Sequence, residues 1–190
     1  MSLSLYKPNP KNTGCGFSFQ LGLNNKNHES TLYVKAIKQH SWDENKKQGY
    51  FQENIGKADK NITIKFNEYE IGNMIYAVST RQEYSTFHTF NEDKTSIKLT
   101  PWDKKAKKSL KNKDTGEWEE QWITVKAYSF SLTRNGNQNF SIALEPGEAV
   151  ALNEFFRFCL KNIFQDRTEK GKHQPNFYEL SRKLIFKMRE

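Results

Sequence analysis

The sequence predicts an α+β protein made of two tandem ββββα units, with a helix of each unit covering one side of its sheet. Three observations lead there. Residues Asn139 to Phe164, NFSIALEPGEAVALNEFFRFCLKNIF, read as a strand running straight into an amphipathic helix. Residues Asn61 to Val78, NITIKFNEYEIGNMIYAV, repeat that order at an offset of 78, which lays Ile62, Ile64 and Phe66 on Phe140, Ile142 and Leu144 and Glu70 on Glu148. One strand earlier, Val125, Lys126 and Ala127 repeat the triplet Val34, Lys35 and Ala36. Identities are few, so the shared order of strand, cap and apolar helical stripe carries the duplication.

Taken in order, Leu3 and Leu5 alternate with Ser2, Ser4 and Tyr6 in a short strand that stops at the Pro8 and Pro10 turn. The next strand puts Cys15, Phe17, Phe19, Leu21 and Leu23 on one face and Gly16, Ser18, Gln20 and Gly22 on the other. After a polar turn from Asn24 to Ser30, the third strand directs Leu32, Val34 and Ala36 inward, leaving Tyr33, Lys35 and Ile37 outside. Ser41 to Lys60 is polar, with Trp42, Tyr50 and Phe51 among lysines and acids, and reads as a long hairpin or functional loop. Asn67 followed by Glu70 has capping-box spacing before the stripe of Ile71, Met74 and Val78.

The second unit follows the same course. Tyr84 to Phe90 and Ser96 to Thr100 are strands, Pro101 to Gln121 is a lysine-rich connection, and QWITVKAYSFSLTR is a long strand. If the triplet match sets its phase, Val125 and Ala127 face inward and Trp122, Lys126, Tyr128 and Phe130 face away from the helices. From Val34 to Asn61 is 27 residues and from Val125 to Asn139 is 14, which gives unit one 13 more between its last two strands. Pro146 and Glu148 suit the first turn of the second helix. Its stripe is Ala149, Leu152, Phe155, Phe156, Cys159, Leu160 and Ile163. The domain therefore spans residues 1–165, as unit one over about 1–80 and unit two over about 81–165. A linker follows at 166–176, then a basic amphipathic helix at 177–190 that packs on its own domain or a neighbouring subunit, or recruits another protein.

Composition narrows the function. A formal charge of +8 favours a polyanion as partner. Fourteen Phe, eight Tyr and four Trp in a chain only 35% hydrophobic leave rings over for a surface. No apolar run approaches membrane-spanning length and no signal peptide opens the chain, so no membrane partner is expected. Cys15 and Cys159 lie on apolar faces and read as buried thiols of a reducing compartment. The expected location is intracellular, cytoplasmic or nucleoid-associated, in a host cell if the chain is viral. No Gly-rich phosphate loop occurs, and no spacing pairs His with Cys or Glu as a metal site, so neither enzyme activity nor a cofactor is expected. Glu117, Glu119 and Glu120 could suggest a metal-dependent nuclease, but a solvated hairpin beside a lysine run is the commoner arrangement.

Rings interleaved with lysines on an open sheet face suit unpaired bases, which stack on the rings while ammonium groups meet phosphates. The stacking residues expected are Tyr6, Tyr33, Trp42, Trp102, Trp122, Tyr128 and Phe130. The phosphate contacts expected are Lys7, Lys35, Lys98, Lys126, and Lys104, Lys105, Lys107, Lys108, Lys111 and Lys113 of the basic segment, which lies between Trp102 and Trp118. Burial of the outward rings in an oligomer, and contact with RNA in place of DNA, are the alternatives.

Two successive units of four strands and a helix resemble the Whirly proteins and the related kinetoplastid guide-RNA-binding proteins, each unit being similar to one subunit of the positive-cofactor-four coactivators. Ile142-Ala143-Leu144-Glu145-Pro146-Gly147-Glu148, a strand entering a helix through a Pro-containing cap, is similar to the corresponding segment of that last family. The resemblance implies curved antiparallel sheets, helices packed between units, homo-oligomers, and single-stranded nucleic acid lying across strands and hairpins. Such folds also occur in phage proteins that protect single strands in replication or recombination, and a Lys- and Asn-rich chain fits an AT-rich genome. Gly14 to Leu23 lacks the lysines that Whirly proteins carry on their second strand. The binding surface is therefore placed by strand parity and charge.

Overall fold

The computed structural model describes residues 1–24, 29–113 and 116–173, with only the backbone for 169–173. Unit one contributes β1 (Ser2–Lys7), β2 (Cys15–Leu23), β3 (Ser30–Lys38), a small hairpin of β4 (Ser41–Asp43) and β5 (Gln48–Tyr50), β6 (Asn61–Phe66) and α1 (Glu68–Thr80). Unit two contributes β7 (Tyr84–Phe90), β8 (Asp93–Lys111), β9 (Trp118–Arg134), β10 (Gln138–Leu144) and α2 (Pro146–His173). Each unit is an antiparallel meander, β1-β2-β3-β6 in sheet one and β7-β8-β9-β10 in sheet two.

The alternation seen in sequence becomes rows of cross-strand neighbours. Leu5, Phe17, Ala36 and Ile62 form one inner row of sheet one, and Leu3, Phe19, Val34 and Ile64 form the next. Ile97, Leu132 and Phe140, then Leu99, Phe130 and Ile142, do the same in sheet two. The two inner faces share one core. Phe130 meets Phe17 and Phe19 at ring-centroid distances of 5.4 and 5.6 Å, and Phe19 meets Phe156 of α2 at 5.7 Å. Burying each such ring contributes about 1.5–3 kcal/mol, so this junction holds the units together.

The helix starts behave as their sequences predict. The Asn67 side chain accepts from the Glu70 N–H at 2.9 Å, and the Glu70 carboxylate accepts from the Asn67 N–H at 2.9 Å, a complete capping box. At α2 the Glu148 carboxylate accepts the Glu145 N–H at 2.8 Å and the Lys7 ammonium at 2.5 Å. The expected stripes face the core, with Ile71 and Met74 on α1 and Ala149, Leu152, Phe155, Phe156, Cys159 and Ile163 on α2 buried and Val78 and Leu160 partly buried against them.

Two expectations fail. The lysine-rich connection is not a loop: β8 and β9 stay paired from Trp102 opposite Ala127 to Lys111 opposite Trp118, as a ribbon about 30 Å long. Pro101 is tolerated because β7 ends opposite Leu99, leaving one side of β8 without a partner strand from there on. Nor is 166–173 a linker, since α2 continues through it to His173. The extension is anchored on unit one, where Arg167 donates to Glu68 at 2.8 Å and Asp166 accepts the Ser30 N–H at 3.1 Å. The expected helix at 177–190 lies outside the described residues.

Candidate nucleic-acid interface

Cross-strand partners share a face and neighbours along a strand alternate, so register decides what each sheet shows to solvent. In sheet one Leu32, Val34 and Ala36 are buried, and Tyr33, Lys35 and Ile37 lie on the outer face, as the sequence predicts. In sheet two the predicted phase is wrong. Tyr128 and Phe130 are core residues, Phe130 fully enclosed, and neither ring reaches a ligand. The Tyr128 hydroxyl donates to the Val78 carbonyl at 2.8 Å, and the Arg81 guanidinium lies 5.5 Å from its ring.

The cause is a slipped match. Val34 pairs with Ile64, and the counterpart of Ile64 is Ile142, which pairs with Phe130. Phe130 is thus the counterpart of Val34, and Val125 is five residues out of phase. An odd slip exchanges the two faces of a strand. The outer face of sheet two is therefore hydroxyl-rich, with Ser129, Ser131 and Thr133 beside an exposed Lys98. The corrected register also enlarges the insertion in unit one, since 27 residues separate Val34 from Asn61 but only 9 separate Phe130 from Asn139.

Tyr6, Tyr33, Lys35 and Lys65 stand together on the outer face of sheet one, where the β2 positions between them are Gly16, Ser18, Gln20 and Gly22. The two glycines let rings lie close to the sheet. A Cβ at Gly16 would fall 2.5 Å from the Tyr6 ring, and one at Gly22 would lie 3.5 Å from the Tyr33 ring. Trp42, on the β4-β5 hairpin, is half-buried with its indole N–H enclosed and unpartnered.

The ribbon separates its residues by face. Trp118 and Trp122 share one side with Lys105, Lys107, Lys111 and Lys126, and these rings are 71% and 67% exposed. The Lys107 ammonium sits 5.6 Å from the Trp122 ring centre and also pairs with Glu120 at 2.8 Å. The opposite side carries Trp102, Lys104, Ala106 and Lys108 against Ala127, Val125 and Ile123. Lys113 is exposed near the tip. Three expected phosphate contacts are thus ion-paired, Lys107 with Glu120 and, each at 2.5 Å, Lys7 with Glu148 and Lys104 with Glu145. Among the described residues, Lys35, Lys98, Lys105, Lys108 and Lys126 carry no ion pair.

A cleft of about 610 Å³ between β6 and β7 brings in groups that the sequence did not point to. Tyr33 and Lys65 line it from sheet one, and Phe87, Phe90 and Arg134 from sheet two. Arg134 is held there by the carbonyls of Ala58 and Asn61. A signal for Phe87 was present, since it alternates in phase with the polar Ser85 and Thr89. His88 reaches the capping-box carboxylate of Glu70 at 2.5 Å.

Burial pushes the Cys15 thiol up, and pushes Cys159 up to about 12. Among the described residues no group of three His, Cys, Asp or Glu could hold a metal ion, and no helix is long and apolar enough to cross a membrane.

Comparison with known proteins agrees with this geometry. No family model matches the chain, and no curated protein matches it in sequence. Among solved structures it is similar to WHY3 from Arabidopsis thaliana, with 12% identity over 90% of this chain and 92% of that one and a TM-score of 0.53. It is also similar to the plant transcriptional regulator PBF-2, with 12% identity over 93% and 97% and a TM-score of 0.51. At such identity the likeness speaks for the backbone alone. The duplicated meanders, the helix entering from each last strand and these neighbours together give the chain a Whirly-like fold.

Proposed function

We propose that this protein binds single-stranded DNA without enzymatic activity and largely independently of sequence, protecting or organising single strands in replication, recombination or transcription. The observation that carries the reading is the ribbon face, where two indoles stand in solvent with four lysines on the same side. Exposed apolar groups gathered on one face and rimmed by polar residues mark interaction sites. Stacked bases suit the indoles and phosphates suit the ammonium groups, whereas a duplex keeps its base faces inside. Tyr33 and Lys35 on sheet one, and Phe87 in the cleft, extend the same chemistry. The Whirly-like fold, shared with the transcriptional regulator PBF-2, supports it. Tyr69, Tyr76, Val150 and Phe164 give the two helices exposed apolar surface, which supports self-association on the helical side.

The test is a competition assay with matched single-stranded DNA, RNA and duplex at fixed salt. Preference for the single strand over the duplex is expected, and equal affinity for a duplex and its separated strands would overturn the reading. The RNA arm separates the two nucleic acids, since a protein-contacted 2′-OH is what tells them apart. Labelled oligonucleotide is expected to survive long incubation with Mg²⁺ or Mn²⁺.

A further inference from the structure

The insertion between β3 and β6, present in unit one alone, is built with more care than a surface loop requires. Two buried polar side chains fasten it. Gln39 accepts the Asn9 N–H at 2.8 Å and donates to the carbonyls of Asn9 and Ser41, both at 3.0 Å. Asn54 donates to the Lys38 carbonyl at 3.0 Å, and its own carbonyl accepts from the Asn61 side chain at 3.0 Å. Buried amides are tolerated only when paired in this way, and once paired they fix a backbone in one position. The hairpin itself is pressed against the β1-β2 turn, since a Cβ at Gly49 would lie 2.3 Å from Pro8.

What these ties hold in place is a pair of apolar side chains flanking the single turn at Gln52–Asn54. Phe51 meets the edge of the Tyr6 ring at 5.3 Å, while Ile55 stays 69% exposed. Between them and the outer face of sheet one lies a cavity of about 390 Å³, with Tyr6, Phe51 and Ile55 among its apolar walls and Ser18, Lys35, Asn61 and Thr63 as its polar groups. That size lies within the range of small-ligand pockets, which are mostly apolar with a few placed polar groups. Gly16 leaves space for the Tyr6 ring to lie on the sheet.

We propose that this pocket takes one unstacked base of a bound single strand, with the Tyr6 and Phe51 rings against the base and Lys35 on its phosphate. The inference rests on the single-strand reading above and adds a subsite to it. The charge supports a nucleotide over a neutral ring, because Lys35 is exposed at the pocket and forms no ion pair among the described residues. Unit two has no such insertion between β9 and β10, so among the described residues this pocket belongs to unit one and makes the two units unequal in binding.

The experiment is photocrosslinking of the full chain to oligo-dT carrying 5-iododeoxyuridine, with the adducts mapped by mass spectrometry. Adducts on Tyr6 or Phe51 are expected beside those on the ribbon. Ile55→Glu is expected to weaken oligo-dT binding by about 5- to 160-fold, the range for the loss of one base stack. Gln48→Glu, the same charge change at an exposed position of β5 that does not line the pocket, is expected to leave binding unchanged. Adducts confined to Trp118 and Trp122, with wild-type affinity for Ile55→Glu, would overturn the pocket and leave the single-strand reading intact. No measurable binding by the wild-type chain would remove both.

Discussion

Trp122→Ala separates a binding ring from a structural one. The side chain is 67% exposed and its ring faces the Lys107 ammonium, 5.6 Å from the ring centre. An exposed cation–π contact is worth about 0.5–1 kcal/mol, so the unfolding midpoint should move little. A base stacked on the indole is worth about 1–3 kcal/mol, and at 1.36 kcal/mol per decade its loss weakens binding by about 5- to 160-fold. The assay is fluorescence anisotropy with labelled oligo-dT at fixed salt, beside a urea titration of the same variant. A weaker complex with an unchanged unfolding curve is the expected pair of results. Unchanged affinity would refute the stacking argument, and lost affinity accompanied by lost stability would place the ring in the fold.

Phe130→Ala should behave in the opposite way, costing about 3–5 kcal/mol of stability by urea unfolding because it empties the junction of the two sheets; a change of only a few tenths would return Phe130 to the surface. The salt dependence of binding should divide the lysines. Lys105→Gln or Lys126→Gln should flatten the log–log salt slope by about 0.7 for each phosphate that is no longer neutralised, whereas Lys104→Gln, whose ammonium is held by Glu145, should leave it unchanged. Stability should also fall in acid through Glu148. Burial alone would raise its pKa, but the Lys7 ammonium and the Glu145 N–H hold it below the usual carboxylate range. A carboxylate with a lowered folded-state pKa stabilises the fold above its unfolded pKa, about 4.3, and loses that contribution as pH falls through the folded value. Glu148→Gln should therefore reduce the acid dependence of the urea midpoint below about pH 4 and leave its shape near neutrality unchanged.

Much of the fold can be read in the chain because its signals are local. The Asn67 to Glu70 box, the alternation of Phe17, Phe19 and Leu21, and the stripe from Ala149 to Ile163 each follow from a repeat of two or from three- and four-residue steps. The basic segment was visible as charge, but its shape was not. Lysines interspersed with Ala, Ser and Leu do not announce whether they form a loop or a paired ribbon, since that depends on a partner strand whose register is set elsewhere. The clearest failure has the same origin. Val125 to Ala127 matches Val34 to Ala36 letter for letter, yet the ladder to β10 sets β9 five residues away from that match and turns Tyr128 and Phe130 into the core.

The sequence alone therefore determined the duplicated ββββα plan, the helix caps and the net positive charge, because each is written in the residues themselves. Tertiary structure decided which rings remain in solvent. It committed Lys7 and Lys104 to Glu148 and Glu145, brought Phe87 and Arg134 to the same cleft as Tyr33, and set Phe51 and Ile55 over the outer face of sheet one. The physical reason is that a strand's period of two fixes which residues share a face but not which face is buried. That choice comes from pairing and packing across the whole chain.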